Sequence, residues 1–573
     1  MKKISALGLV VVALVGSACD SRGPQTAVTP VETRSQNQNP SAHSALGAYL
    51  AARLAQLNGD SQYAADLYGA ALVYDSENTD LLQNSLLLLL TEGRFDEARP
   101  IAEHLLTFES DAAWPLVLMG VEAANRQDYS EARKNFAAVP KRTINAVLGP
   151  LLLAWSLAGN GLTDAALEAL SPLAQFEGFK PVQAFHAGLI LDQGGRVEAA
   201  LEQYKIAMAG PLNIRTIEAV GSAYQRLGRQ NDAKDLYGRY LSEHPETMLF
   251  NGEALLAQGA DIARPVPDAK SGMAAVFFDV SQLLRQGDTL QMSLIFNRMA
   301  LFLQPDFPLA QLTAGDLLSS KGRIDEANAL YRGISVKSPV HSFAHLKVAT
   351  NLDEQGNTQG AIQELQVLQK AMPNTIEIPL ALGDVQRRHK LFAEAALSYS
   401  QALALYRGAP ADAWSLHFSR GVVYERAHDW PNAEADFKRA LILKPDQPDV
   451  LNYLGYTWID RGSNLQEARA MIEKAAKLRP GDGAIIDSLG WALYRLGEFY
   501  DAVENLEKAV ELKPVDPTIN EHLGDAYWKV GRIDEARMQW RRSLSMDPEP
   551  EQIEALKEKN RTGRLPEAIP VYK

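Results

Sequence analysis

The chain has 573 residues, 46% of them hydrophobic, and a formal net charge of -13. A chain of this length can bury a large core, and its acidic balance repels phosphate backbones, which argues against a nucleic-acid partner. A single cysteine, Cys19, excludes an intrachain disulfide.

Met1-Lys2-Lys3 supplies a short positive start, and residues 4–15 form an apolar run too short to span a bilayer comfortably. Gly16-Ser17-Ala18-Cys19 follows. Small residues ahead of a cysteine resemble the lipobox of bacterial lipoproteins, in which the cysteine is acylated and becomes the new N-terminus. Gly16 stands where that family usually has Leu or Val. Ordinary signal-peptide cleavage beside an incidental cysteine is the other reading, and the placement of the chain's one cysteine favours lipidation. The signal peptide is expected over 1–18, and a lipidated Cys19 with a flexible tether over 19–44. The tether is rich in Pro, Ser, Thr, Gln and Asn and has too few large apolar groups to offset the entropy of ordering. No later stretch is apolar enough to span a membrane; residues 86–90 are a short leucine run suited to a buried helix.

From Ala45 onward small residues, aromatics and prolines recur with a period near 34. Gly315, Gly322, Ala327, Tyr331 and Pro339 make one copy. Gly221, Tyr224, Gly228, Ala233, Tyr237 and Pro245 make another, and Leu523-Gly524, Tyr527, Gly531, Ala536, Trp540 and Pro548 a third. The glycine at the eighth position and the alanine at the twentieth let two helices cross closely. The aromatic at the twenty-fourth is expected to fill the gap towards the next repeat, and the proline stops the second helix. Repeats are expected to start at Ala45, Thr79, Ala113, Val147, Pro181, Ile214, Ala274, Pro308, Ser342, Ile376, Trp414, Pro448, Gly483 and Pro517. One spacing is long. It places an insertion or linker at 248–273, containing Arg264-Pro265-Val266-Pro267-Asp268, between an array of about six repeats at 45–247 and one of about eight at 274–550. Residues 551–573 are expected to form a capping helix with a charged outer face, and a tail.

This pattern resembles the tetratricopeptide repeat over almost the whole chain beyond residue 45. The resemblance implies an all-α fold: a right-handed superhelical solenoid of about 14 helix-turn-helix repeats in two sub-arrays, with the first helix of each repeat on the concave side. The positions then expected to line a partner-binding groove in the last three repeats are Asn452, Tyr456, Asp487, Trp491, Tyr494, Glu521, Asp525 and Trp528. Their aromatics offer rigid contact area and their carboxylates offer acceptors, which suits a peptide of apolar and basic character. The alternative is that Trp491 and Trp528 pack between repeats. Some members of the family clamp acidic C-terminal tails with Lys, Asn and Arg; here Asp487, Glu521 and Asp525 hold the corresponding places, so such a clamp is not expected. Residues 451–544 further resemble proteobacterial tetratricopeptide-repeat lipoproteins, including the adaptor lipoprotein of a periplasmic C-terminal processing protease.

Catalytic constellations are missing from the sequence. There is no HExxH, CxxC or GxxxxGK[ST]. His341 and His345 have a metal-pair spacing, but they straddle a repeat junction with no carboxylate at helical spacing beside them. Gly159-Asn160-Gly161 falls on an inter-helix turn with no strand before it. No catalytic residue, metal site or cofactor is expected. The leading reading is a non-enzymatic scaffold or adaptor, lipid-anchored in a bacterial envelope. The outer membrane facing the periplasm is favoured, although Asp20 after the cysteine points to the inner membrane in enteric bacteria. Its partners would be envelope proteins or peptides, possibly a C-terminal processing protease. The alternatives are an envelope-assembly or polysaccharide-export scaffold and, further off, an enzyme with an unrecognised site.

Overall fold

The computed structural model describes residues 44–209, 214–243, 264–285 and 289–565. The expected signal segment, lipidated Cys19 and nearly all of the tether lie outside the described residues, as does most of the expected insertion. Among the described residues, 29 α-helices follow one another in pairs and no strand occurs. The chain divides into two compact units, one ending at Leu88 and one beginning at Leu89.

The first unit is built around the pair Ala45–Leu57 and Ser61–Leu72. Ser44 caps the first helix by accepting from Gly47 N at 3.1 Å, and Asp60 caps the second by accepting from Tyr63 N at 3.0 Å. Ala48, Ala52 and Ala55 face Ala64, Ala65 and Ala71 in its core, so the two backbones approach closely. Tyr68 fills the end of that seam, edge-on to Tyr49.

In the second unit many pairs share one packing rule. The glycine of the first helix lies under the aromatic of the second, and over Gly455 and Gly490 the aliphatic Ile472 and Leu506 take the aromatic's place. A Cβ at Gly188 would stand 2.5 Å from the Tyr204 ring, and one at Gly524 2.5 Å from the Trp540 ring. The aromatic at the twenty-fourth position thus packs onto its own repeat's glycine, where the sequence suggested that it reaches for the next repeat. The turn between paired helices needs a residue with positive φ. Gly322 and Gly497 supply it at little cost, whereas Gln127, Lys390 and His428 hold φ of 63°, 60° and 62°.

First helices begin within two residues of the expected repeat starts with one exception. The helix Ala269–Leu283 starts inside the expected linker, because Asp268 caps it by accepting from Ser271 N at 2.7 Å. It is buried on nearly all sides. It packs on the first helices of two earlier repeats, Asn145–Gly159 and Lys180–Gln193, and reaches a third, Ile214–Arg226, through the Arg215–Asp279 ion pair. Gly272 is small because Trp155 lies directly against it. The following helix, Leu290–Leu303, brings Phe296 to 5.6 Å from Trp114 and Phe302 to 4.5 Å from Phe95 between ring centroids. The face that the earlier repeats present with their first helices is therefore filled by the chain itself.

A polar seam fixes the register of this internal docking. Trp155 Nε1 donates to His186 Nδ1 at 3.1 Å, and His186 Nε2 lies 3.2 Å from Asp279 Oδ2. Arg215 ion-pairs with Asp279 and sits over the rings of Phe185 and Phe278. The Arg215 guanidinium and His186 hold the Asp279 carboxyl below its ordinary value despite a burial that pushes it up.

Candidate functional site

The first helices Pro448–Arg461, Gly483–Arg495 and Pro517–Lys529 carry all eight groove positions expected from sequence. Asp482 and Asp516 cap the latter two by accepting from backbone amides one turn in. With those starts fixed, positions 452, 456, 487, 491, 494, 521, 525 and 528 fall on neighbouring faces. The structure brings them together, but most point into the protein.

Asp487 receives a hydrogen bond from His522 Nδ1 at 3.0 Å, and both are buried. Burial pushes the His522 imidazole down, but the Asp487 carboxylate outweighs it and holds the pKa above its usual value. Trp491 is sandwiched between Tyr494, with centroids 4.8 Å apart, and His522, at 4.1 Å. Tyr494 is completely buried, and burial raises its phenol well above the ordinary range. Packing between repeats, the alternative weighed for the tryptophans, is therefore what Trp491 does.

Glu521 and Asp525 are spoken for as well. The C-terminal helix Pro550–Thr562 inserts Lys559 against them, with Nζ 2.7 Å from Glu521 Oε1 and 2.8 Å from Asp525 Oδ2. Asp525 also accepts from Trp540 Nε1 at 2.8 Å. The expectation that these two carboxylates line an open groove is corrected here: the capping helix turns one of its charges inward. Lys559 follows Leu556 by three residues and shares its face, and Leu556 is fully buried in the cluster formed by Leu523, Trp540 and Trp491. That placement at an apolar neighbour's spacing was the signal available in the sequence.

Three expected positions stay partly open to water: Asn452, Tyr456 and Trp528. Among the described residues, Asn452 Oδ1 and Trp491 Nε1 are buried atoms without a hydrogen-bond partner. Desolvation, with Asp487 and Asp460 nearby, raises the Tyr456 phenol well above its usual value. Arg495, almost buried, donates to Asp460 Oδ1 at 2.9 Å and ties the two helices together beside Tyr456. Lys529 Nζ sits 5.7 Å from the Trp528 ring.

His341 and His345 do share a helix face, with ring centroids 4.2 Å apart. Their partners are protein groups. His341 Nδ1 meets Ile334 O at 2.9 Å, and His345 Nδ1 meets Glu364 Oε1 at 2.5 Å. The carboxylate missing at helical spacing comes instead from the paired helix Thr358–Ala371. Among the described residues no group of three His, Cys, Asp or Glu is placed to hold a metal ion. A separate pocket of about 210 Å³ lies beside the internally docked helix, lined by Arg215, Glu218, Val266, Ala275, Phe307 and Val340 among others. Burial raises the Glu218 carboxyl there to about 7.

Paired helices stacked by a glycine–aromatic crossing define a helical repeat scaffold. Family models described as tetratricopeptide repeat match residues 220–247, 380–448, 418–483 and 518–550, and one described as TPR repeat matches 490–531. The chain belongs to the tetratricopeptide-repeat family, whose repeats are protein–protein interaction modules. It is 32% identical over 199 residues, 34% of this chain, to a TPR repeat-containing protein of Pseudomonas aeruginosa. It is also 32% identical over 84 residues, 15% of this chain, to bacteriophage adsorption protein A of Escherichia coli. These matches span 27% and 8% of the two relatives' own lengths. Among solved structures, a tetratricopeptide repeat protein from Parabacteroides merdae is 15% identical, with 44% of this chain and 97% of that one covered and a TM-score of 0.38. MamA is 23% identical, with 29% and 95% covered and a TM-score of 0.27.

Proposed function

We propose that this chain is a non-catalytic docking scaffold, lipid-anchored through Cys19 in a bacterial envelope, and that partners dock across the first helices Pro448–Arg461 to Pro517–Lys529. The observation that carries the reading is the contrast between two equivalent faces. On the earlier repeats the first-helix face is filled by Ala269–Leu283. On the later repeats Asn452, Tyr456 and Trp528 remain partly open to water. With Glu521, Asp525 and Asp487 neutralised internally, the open face is less acidic than its sequence suggests. The partner is then chosen by aromatic contact more than by basic charge.

The finer reading, an adaptor for a periplasmic C-terminal processing protease, rests on the resemblance of residues 451–544 to proteobacterial lipoproteins. Anchoring rests on the residues around Cys19. Both are tested in intact cells. Palmitate labelling is expected for the wild-type chain and absent in Cys19→Ser. Cross-linking capture is expected to enrich one envelope protein, lost with Asn452→Ala/Tyr456→Ala and kept with Tyr500→Ala, a fully surface position on a second helix. Retention of that partner by the first variant would move the docking face elsewhere.

A further inference from the structure

The first described helix, Ala45–Leu57, has a face that no described residue covers. Leu46, Leu50, Leu54 and Leu57 are 66%, 57%, 60% and 78% exposed. At 100° per residue they fall on one stripe of the helix, while Ala48, Ala52 and Ala55 on the other side are buried. Together the leucines leave roughly 450 Å² in water, within the 300–600 Å² of the largest apolar patch on an ordinary monomer.

The repeat explains what this face is. Leu50 and Leu54 occupy the register that Thr313 and Leu317, or His522 and Ala526, occupy in later repeats. Those residues are buried. They lie towards the preceding repeat: Thr313 faces Gln282, and His522 pairs with Asp487. The leucine stripe is thus a stacking face of the repeat with no repeat before it among the described residues. Residues 20–43 offer only Val28 and Val31 as large apolar side chains, too few to cover it. The corresponding face at the other terminus is closed by Pro550–Thr562, keyed in by Lys559.

We propose that a second copy of this chain covers the stripe, two Ala45–Leu57 helices packing about a two-fold axis. A stacking face at one terminus only cannot propagate head to tail, so an N-terminal face meeting its like closes after two copies. The stripe carries no acidic side chain, and Arg53 is the helix's only charge, so two copies meet without strong repulsion. An anionic lipid surface is disfavoured, because residues 45–88 hold Asp60, Asp66, Asp75, Glu77 and Asp80 against that one arginine. Two stripes bury roughly 900 Å² of leucine surface, which with their margins reaches the low end of specific interfaces, near 1,000–1,200 Å². The dimer is accordingly a reversible one.

The test uses the full chain in bacterial cells, with a photo-cross-linker at position 50 and two differently tagged copies. The expected product is a cross-link between two copies of this chain, and co-purification of the tags that falls at least tenfold in Leu50→Glu/Leu54→Glu. Pairing that variant with Leu50→Lys/Leu54→Lys is expected to restore co-purification. The leucines touch little in the monomer, so helix content and melting of each variant serve as the folding check. A cross-link only to lipid, to another protein or to the chain's own residues 4–15 overturns the proposal. So does the absence of tag exchange, or its persistence in the Glu variant.

Discussion

Lys559 Nζ, on the last helix, lies 2.8 Å from Asp525 Oδ2 on the first helix of the last repeat, and the lysine is only 3% exposed. Burial pushes the ammonium pKa down, but Asp525 and Glu521 more than offset it and keep the group charged. Breaking one side of a buried pair leaves an uncompensated charge. Lys559→Met is therefore expected to cost about 3–5 kcal/mol. The triple variant Lys559→Met/Glu521→Gln/Asp525→Asn removes the stranded carboxylates and is expected to recover most of that loss. Urea denaturation followed by circular dichroism reads both. A single-variant loss near zero would mean that Lys559 does not hold the helix in place.

Gly272 and Gly238 give a test with opposite signs. Both sit inside helices, where alanine is favoured over glycine by about 1 kcal/mol. Nothing lies within 4 Å of a Cβ at Gly238, so Gly238→Ala is expected to stabilise by up to that amount. At Gly272 the Trp155 ring occupies the space, and overpacking costs about 1–3 kcal/mol. Gly272→Ala is thus expected to destabilise on balance, with faster amide exchange in Asn145–Gly159. If both variants stabilise, the helix Ala269–Leu283 is not seated on the earlier repeats as described.

The helix pairs were legible because each landmark acts locally. Gly524 and Trp540 are sixteen residues apart and meet within one pair, so the spacing itself states the contact. The docking of Ala269–Leu283 was not legible. Asp279 meets Arg215 across 64 residues, and no periodicity records which face a later helix covers. The same limit explains the groove. Helical spacing put Trp491, Tyr494, Glu521 and Asp525 on first helices. It did not reveal that Lys559, 38 residues beyond Glu521, would take the carboxylates. Three residues of separation in one helix stacked Trp491 on Tyr494 and turned a groove aromatic into an internal one.

Glu218 ties the internal docking to pH. Its carboxyl is raised by burial from 4.5 to about 7, with Arg215 pulling the other way. A raised acid contributes stability that is fully present below the unfolded value and is lost as pH rises through the folded one. The loss here falls between pH 4.5 and about 7. At about 1.36 kcal/mol per pKa unit, and discounted because the group faces a pocket partly open to water, it amounts to about 1–2 kcal/mol. Glu218→Gln is expected to raise the melting temperature at pH 8 and leave it nearly unchanged at pH 4.5. An equal shift at both values would assign the effect to packing.

His522 has its own window. Its pKa is raised above 6.5 because Asp487, 3.0 Å away, outweighs the burial that lowers it, with Glu521 and Asp525 adding to the upward pull. Stability from the charged pair is complete below 6.5 and disappears as pH rises through the folded value. The melting temperature is expected to fall as pH rises above 6.5, and His522→Gln is expected to flatten that fall. The stack supplies a second readout. The imidazole lies parallel to the Trp491 ring at 4.1 Å, so its protonation changes the indole's surroundings directly. Tryptophan fluorescence is expected to titrate in the same window and to stop doing so in Trp491→Phe, while Glu218→Gln leaves it in place. A titration that survives Trp491→Phe would mean that another indole reports it and that the His522–Asp487 pair is not the group being read.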